Sequence, residues 1–119
     1  MTAIGTIVSI AGQKYRWAVM EAIAGAVPPD QLYRLVKIGD VGHMLTAPGS
    51  DLTTLVAAPT YSEGDVVRTA FDNAGTVVSD DGDVVRVSVS REAKAGTIGR
   101  HSWTGEIQVN KAVLVALNT

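Results

Sequence analysis

The residues of this chain with the means to do chemistry are few. They are His43 and His101, the acidic run Asp80, Asp81 and Asp83 around Gly82, Asp40 beside Gly39 and Gly42, and scattered serines. The two histidines lie far apart, with no cysteine and no His-x-x-x-His or His-Glu pairing, so a zinc site has no local support. The aspartates lack the alternating oxygen ligands and distal glutamate of a calcium loop. Asp81-Gly82 between valine-rich segments is what a hairpin turn requires. Around Gly39-Asp-Val-Gly42 the Lys-Ser/Thr ending and following helix of a phosphate loop are missing, which leaves a turn with a capping aspartate. No serine sits in Gly-x-Ser-x-Gly. These residues predict no catalytic group, no cofactor-binding residue, no metal-ligand set, no small-molecule substrate and no enzyme.

At 119 residues the chain fits one domain over residues 1–119, with residues 1–9 as an assembly arm. Hydrophobic residues make up 46% but aromatic ones only 5%, so packing rests on Val, Ala, Leu and Ile rather than on an aromatic pocket. A net charge of -2 without any Lys/Arg run gives no field for a phosphate backbone, and nucleic acid is not an expected partner. The absence of cysteine excludes disulfides, Fe-S clusters and thiol catalysis, and it suits a reducing cytoplasm. Apolar stretches such as 112–117 are too short to span a bilayer, and residues 1–10 lack a basic leader region. The sequence therefore predicts a protein made in the cytoplasm and not inserted in a membrane.

Those side chains need elements to position them. Ser9 followed by residues 10–24, with Gly25 before Pro28 and Pro29, predicts a helix. Tyr15, Ala18, Val19, Ala22, Ile23 and Ala26 would form its core stripe, leaving Trp17 and Met20 for a second buried face or a neighbouring subunit. Residues 32–38 read as a strand ending at two glycines in an irregular, backbone-presenting loop through Asp51, which would cap a short helical turn over 52–57. From Asp65 the pattern is an antiparallel meander: 66–71, a turn at 72–75, 76–79, a turn at 80–82, and 83–90. In the last strand Val85, Val87 and Val89 share a dry face. Residues 97–103 and 107–117 would pair around Thr104-Gly105, with 112–117 as an interior strand. The expected fold is α+β: one N-terminal helix packed on a mainly antiparallel sheet.

The order of these motifs resembles the N-terminal module of tailed-bacteriophage tail-fibre or tail-collar proteins. That family opens a helix with a Thr/Ser-x-Ala-Gly-like start, then runs a strand into a Gly-Asp-Gly-like loop, a Pro- and Thr-containing segment and a leucine. Here Ser9-Ile-Ala-Gly12, Lys37-Ile-Gly-Asp-Val-Gly42, Thr46-Ala-Pro48 and Leu52 or Leu55 stand in those places. Gly96-Thr-Ile-Gly99 and Gly105-Glu-Ile107 sit where the family has its Gly-x-Ile-x-Glu-x-Gly-Leu strand, although Gly99-Arg-His-Ser-Trp103 departs from it. The resemblance reaches no shaft or receptor-binding region within residues 1–119. The resemblance implies a virion structural subunit, a tail or baseplate attachment or adaptor piece. It would contact copies of itself and other virion proteins through Ile4, Ile7, Trp17, Gly39, Asp40, Gly42, His43, Met44 and Leu45. A capsid decoration protein is the alternative in the same class. A small cellular ligand-binding module or enzyme using His43, Asp40 or His101 is the alternative from another.

Overall fold

The computed structural model describes residues 2–24, 31–69, 74–91 and 103–119, without the side chains of residues 91, 103 and 104. Strands β1 (Ile7–Ile10), β2 (Arg16–Ala22), β3 (Leu32–Lys37), β4 (Asp40–Pro48) and β5 (Leu52–Val56) form one antiparallel sheet in the order β4-β3-β2-β1-β5. A short 3-10 turn, Gly49–Asp51, joins β4 to β5, the two edges of that sheet. Edges four strand spacings apart would stand about 19 Å from one another if the sheet were flat. The steps from Pro48 to Leu52 through a 3-10 turn reach only roughly 8–10 Å. The sheet is therefore curled into a partly closed barrel. Hydrogen bonds at both ends of the connection fix the curl: Gly49 N–H donates to the Gln31 carbonyl at 2.7 Å, and Ala11 N–H donates to the Asp51 carbonyl at 2.9 Å. Curling buries one face on itself, where Val8, Ile10, Trp17, Val19, Tyr33, Leu35 and Ala47 form a cluster drawn from the strands of this sheet alone.

The helix expected over 10–24 is not formed, and this overturns the expected fold class. Residues 7–22 are instead the β1–β2 hairpin. Its turn is closed by Gln13 N–H donating to the Ile10 carbonyl at 3.0 Å, with Gly12 at φ +80°. A positive φ in that third turn position suits glycine, and Gly12 inside a helix would have cost about 1 kcal/mol relative to alanine. The misreading has a definite cause. β2 is buried on both faces, with Trp17 and Val19 inside the barrel and Ala18 and Met20 outside it. A strand covered on both sides is a nearly continuous apolar run, which also satisfies 3-and-4 spacing. Gly25, Pro28 and Pro29 lie outside the described residues.

The second sheet is antiparallel in the order β6-β7-β8-β9, from β6 (Val66–Arg68), β7 (Ala74–Asp80), β8 (Val84–Arg91) and β9 (Trp103–Asn110). Val67, Val77, Val85, Val87 and Val89 make its dry face, while an Arg86–Glu106 ion pair of 2.7 Å lies on the wet one. Close packing of that dry face needs Gly75, since a Cβ there would collide with the Val87 side chain. Gly82 takes φ +96°, and Asp81 N–H donates to the Val84 carbonyl at 2.9 Å. The hairpin is thus centred on Gly82-Asp83, one residue beyond Asp81-Gly82. Thr104-Gly105 is no turn but part of β9, paired with Ser90 and Val89. The expected turn residues Asp72 and Asn73 and most of the expected strand 97–103 fall outside the described residues.

Residues 112–117, expected as an interior strand, fall in the helix α1 (Lys111–Leu117). Asn110 caps it, its Oδ1 accepting from Ala112 N–H at 2.8 Å, and Asn118 Nδ2 returns to the Leu114 carbonyl at 2.8 Å. Past Lys111 the helix is apolar all round because it is a wedge. Ala112, Val115 and Ala116 pack on Ile7, Ala18 and Val36 of the barrel, and Leu114 joins the valines of the second sheet. Tyr61 touches both clusters. The molecule measures 56 × 25 × 25 Å with a radius of gyration of 16.5 Å. About 13.5 Å would suit a compact chain of this length, so barrel and second sheet lie end to end with α1 between them.

Candidate functional site

The segment expected as an irregular docking loop over 39–50 is an ordered edge strand. Ile38-Gly39 turns β3 into β4, with Gly39 at φ +84° and its N–H donated to the Ala116 carbonyl of α1 at 3.0 Å. That bond supplies a donor for one of the carbonyls a helix C-terminus leaves open. Asp40 Oδ1 accepts from Gly42 N–H at 3.3 Å, and His43 Nδ1 stands 4.0 Å from Asp40 Oδ2. The His43 ring meets Trp17 edge-on with centroids 5.9 Å apart.

The expected interface residues divide by burial. Gly39, Asp40, Gly42, His43 and Met44 are exposed along the turn and β4, and Leu45 is half-buried against the barrel interior. Met44, 49% exposed, stands opposite Val36 on the outer face. Ile7 and Trp17 instead lie in the two cores, and Ile4 packs against the cluster beneath α1. β1 is flanked by β2 and β5, so residues 7–9 are an inner strand of the barrel. His101 and the side chain of Trp103 lie outside the described residues.

Two features had escaped the sequence reading. The first is β5, a strand where a short helical turn over 52–57 was expected; its segment 53–56 is exposed, and Leu55 and Val56 are 47% and 52% accessible. Leu52 to Thr60 carries no charge, but neither do residues 1–13 or 41–50, so charge pattern alone did not single the strand out. The second is an ion pair between Lys111 Nζ and Asp80 Oδ2 at 2.8 Å, with side chains only 6% and 5% exposed. A register shift in β7 near Val78 turns Asp80 toward this joint. Asp80 also accepts from Tyr61 N–H at 2.8 Å and from Gly82 N–H at 2.9 Å. Burial pushes the Asp80 carboxyl up. The Lys111 hydrogen bond, the two backbone N–H groups and the Lys111 charge outweigh that and leave it below its usual range. Tyr61 moves up, through burial first and then the charges of Asp80 and Asp65. Gly5, at φ +92°, makes room for the lysine stem, because a Cβ there would sit 2.8 Å from Lys111 Cγ.

This centre is a structural clamp. Its carboxylate is fully engaged, and it has no nucleophile paired with a base. A cleft of about 380 Å³ at the same joint is lined by Thr2, Ala3, Ile4, Glu21, Ala22 and Asp83, with Glu21 held by Arg34 at 3.5 Å. Among the described residues no three His, Asp or Glu side chains converge to hold a metal ion, and no helix is long and apolar enough to cross a membrane. The surface with most to offer a partner is the pair of barrel edges, β4 and β5. Comparison of the chain with protein-family models, curated proteins and solved structures finds no match.

Proposed function

We propose that the chain is a structural subunit of a tailed-bacteriophage virion, working at the tail or baseplate through repeated contacts with its own copies and with other virion proteins. The observation that carries the association reading is the uncharged edge strand β5, with Leu55 and Val56 open to solvent. Monomeric proteins usually blunt such an edge with charge, proline, a bulge or a covering loop; β5 has a bulge at Leu55 but neither charge nor proline. An end-to-end shape of 56 Å gives a subunit reach between neighbours, and weak contacts repeated around a symmetric ring add through avidity.

The virion assignment draws on the motif order of the sequence. With 10–24 forming a hairpin, the N-terminal helix of the tail-fibre pattern drops out of that argument. What supports it is the strand into Gly39-Asp-Val-Gly42, the Thr46-Ala-Pro48 segment and Gly105-Glu-Ile107 in β9. The association is tested by native mass across a concentration series: a closed oligomer is expected, and a monomer at every concentration would overturn it. The virion role is tested by quantifying the chain in density-banded phage particles. A fixed stoichiometry is expected, and absence from intact particles would overturn it.

A further inference from the structure

Tyr15 immediately precedes β2 with its side chain open to solvent, and two ammonium groups are held on its ring. Lys37 Nζ lies 3.9 Å from the ring centre and Lys14 Nζ 5.6 Å from it. The two cations are therefore no more than about 9.5 Å apart, within roughly the 8–10 Å over which charge is felt at physiological salt. Among the described residues neither lysine enters an ion pair. Asp40 stands opposite Lys37 in the β3–β4 register, but its carboxylate turns to Gly42 N–H and to His43 instead. Two uncompensated cations on one exposed tyrosine, in a chain of net charge -2, suit a pair of carboxylates brought by a partner.

The chain itself carries such a pair. Asp81 and Asp83 are exposed on either side of Gly82 in the β7–β8 hairpin, and among the described residues neither carboxylate enters an ion pair. The lysines of the same copy are out of their reach. Asp83 shares the cleft at the joint with Ala22, where β2 ends, whereas Tyr15 stands where β2 begins, roughly 20 Å away along the strand. We infer that Lys14, Tyr15 and Lys37 of one copy receive Asp81 and Asp83 of a second copy. This rests on the association reading above and names a contact for it. Because the two patches differ and lie toward opposite ends of β2, the contact is heterologous: each copy gives its aspartates to one neighbour and its lysines to another, the arrangement that closes into rings. Opposite signs steer copies into this orientation, and like charges oppose the inverted ones.

Exchange of charge tests the contact. Lys14→Glu with Lys37→Glu, and separately Asp81→Lys with Asp83→Lys, should each raise the dissociation constant of the oligomer about tenfold or more in native-mass titrations. Mixed together, the two double variants meet with signs exchanged and should form species containing both, which also shows that each is folded. Lys14→Glu alone, at an exposed position, should weaken association in the same direction while the melting of dilute protein stays unchanged. Raising sodium chloride from about 0.05 to 0.5 M should weaken wild type several-fold. If wild type is oligomeric but both double variants keep its dissociation constant, or their mixture gives no mixed species, this contact is wrong and association stands. If wild type is monomeric at every concentration, both readings fall. Hexaglutamate peptide bound by a monomeric wild type, and released by Lys14→Glu with Lys37→Glu, would assign the lysines to a different acidic protein and overturn the self-contact.

Discussion

Lys111 and Asp80 give up most of their hydration to meet at the joint, and what returns the free energy is their close contact plus the Tyr61 and Gly82 N–H groups. Lys111→Ala would leave a buried carboxylate alone, with an expected loss of about 3–5 kcal/mol in chemical denaturation. Lys111→Met with Asp80→Leu, which removes both charges and keeps the volume, should recover most of that loss. The sign with pH is fixed by the direction of the Asp80 shift. A carboxyl depressed below 3.8 contributes stability that is complete above that value and is lost as pH falls through the folded-state pKa. Lys111→Ala should therefore lose the steepest part of the acid-unfolding curve below pH 3.8, read by circular dichroism. Gly5→Ala forces a methyl onto the lysine stem at positive φ and should cost about 1–3 kcal/mol.

At the scale of elements, the helix α1 depends on its caps as well as its burial. Asn110→Ala removes the acceptor for Ala112 N–H and also the donor to the Met20 carbonyl at 3.1 Å, so a loss of about 1–2 kcal/mol in thermal denaturation is expected. Val19→Asp should cost several kcal/mol in thermal denaturation, because Val19 is sealed inside the barrel. Gly82→Val, with nothing near its Cβ, should cost about 1–2 kcal/mol from backbone strain alone. Sequence showed the alternating strands well: Val85, Val87 and Val89 named the dry face of β8, and Tyr33 to Lys37 named β3. It failed where apolar residues run together, because burial on both faces erases the period that separates strand from helix. Arg16–Ala22 looked like a helix and Lys111–Leu117 like a strand for that one reason. The Asn residues at 110 and 118 held the signal for the latter. In the candidate site Gly39, Asp40, Gly42, His43 and Met44 were named for a glycine-rich, backbone-presenting loop and are exposed, but their strand β4 was not foreseen, while the Lys111–Asp80 contact joins positions that no local motif connects.

For the whole molecule, the barrel and the second sheet share few residues besides α1 and Tyr61, so their stabilities are coupled through that wedge. Ala116→Asp, charging the face of α1 that rests on Val36, should lower the melting temperature of both bodies together. Separate transitions, seen as barrel signals from Trp17 persisting after the valine sheet has melted, would contradict a shared core. Chelator is expected to leave melting unchanged, since the Asp81 turn is held by Gly82 and backbone bonds.

The position of α1 along the chain also sets an order of events during synthesis. All five barrel strands are contiguous in sequence, up to Val56, yet the helix that covers Ile7, Ala18 and Val36 begins only at Lys111. At typical translation speeds the outer apolar face of a newly formed barrel stays bare for on the order of several seconds before its cover emerges. During that interval the nascent barrel offers both this face and the uncharged β5 edge to neighbouring chains. A ribosome making this protein thus releases a subunit whose earliest opportunity for mispairing comes before its last helix exists, which makes a slowed-translation pulse-chase, scored for early aggregates, sensitive to Ile7 and Val36.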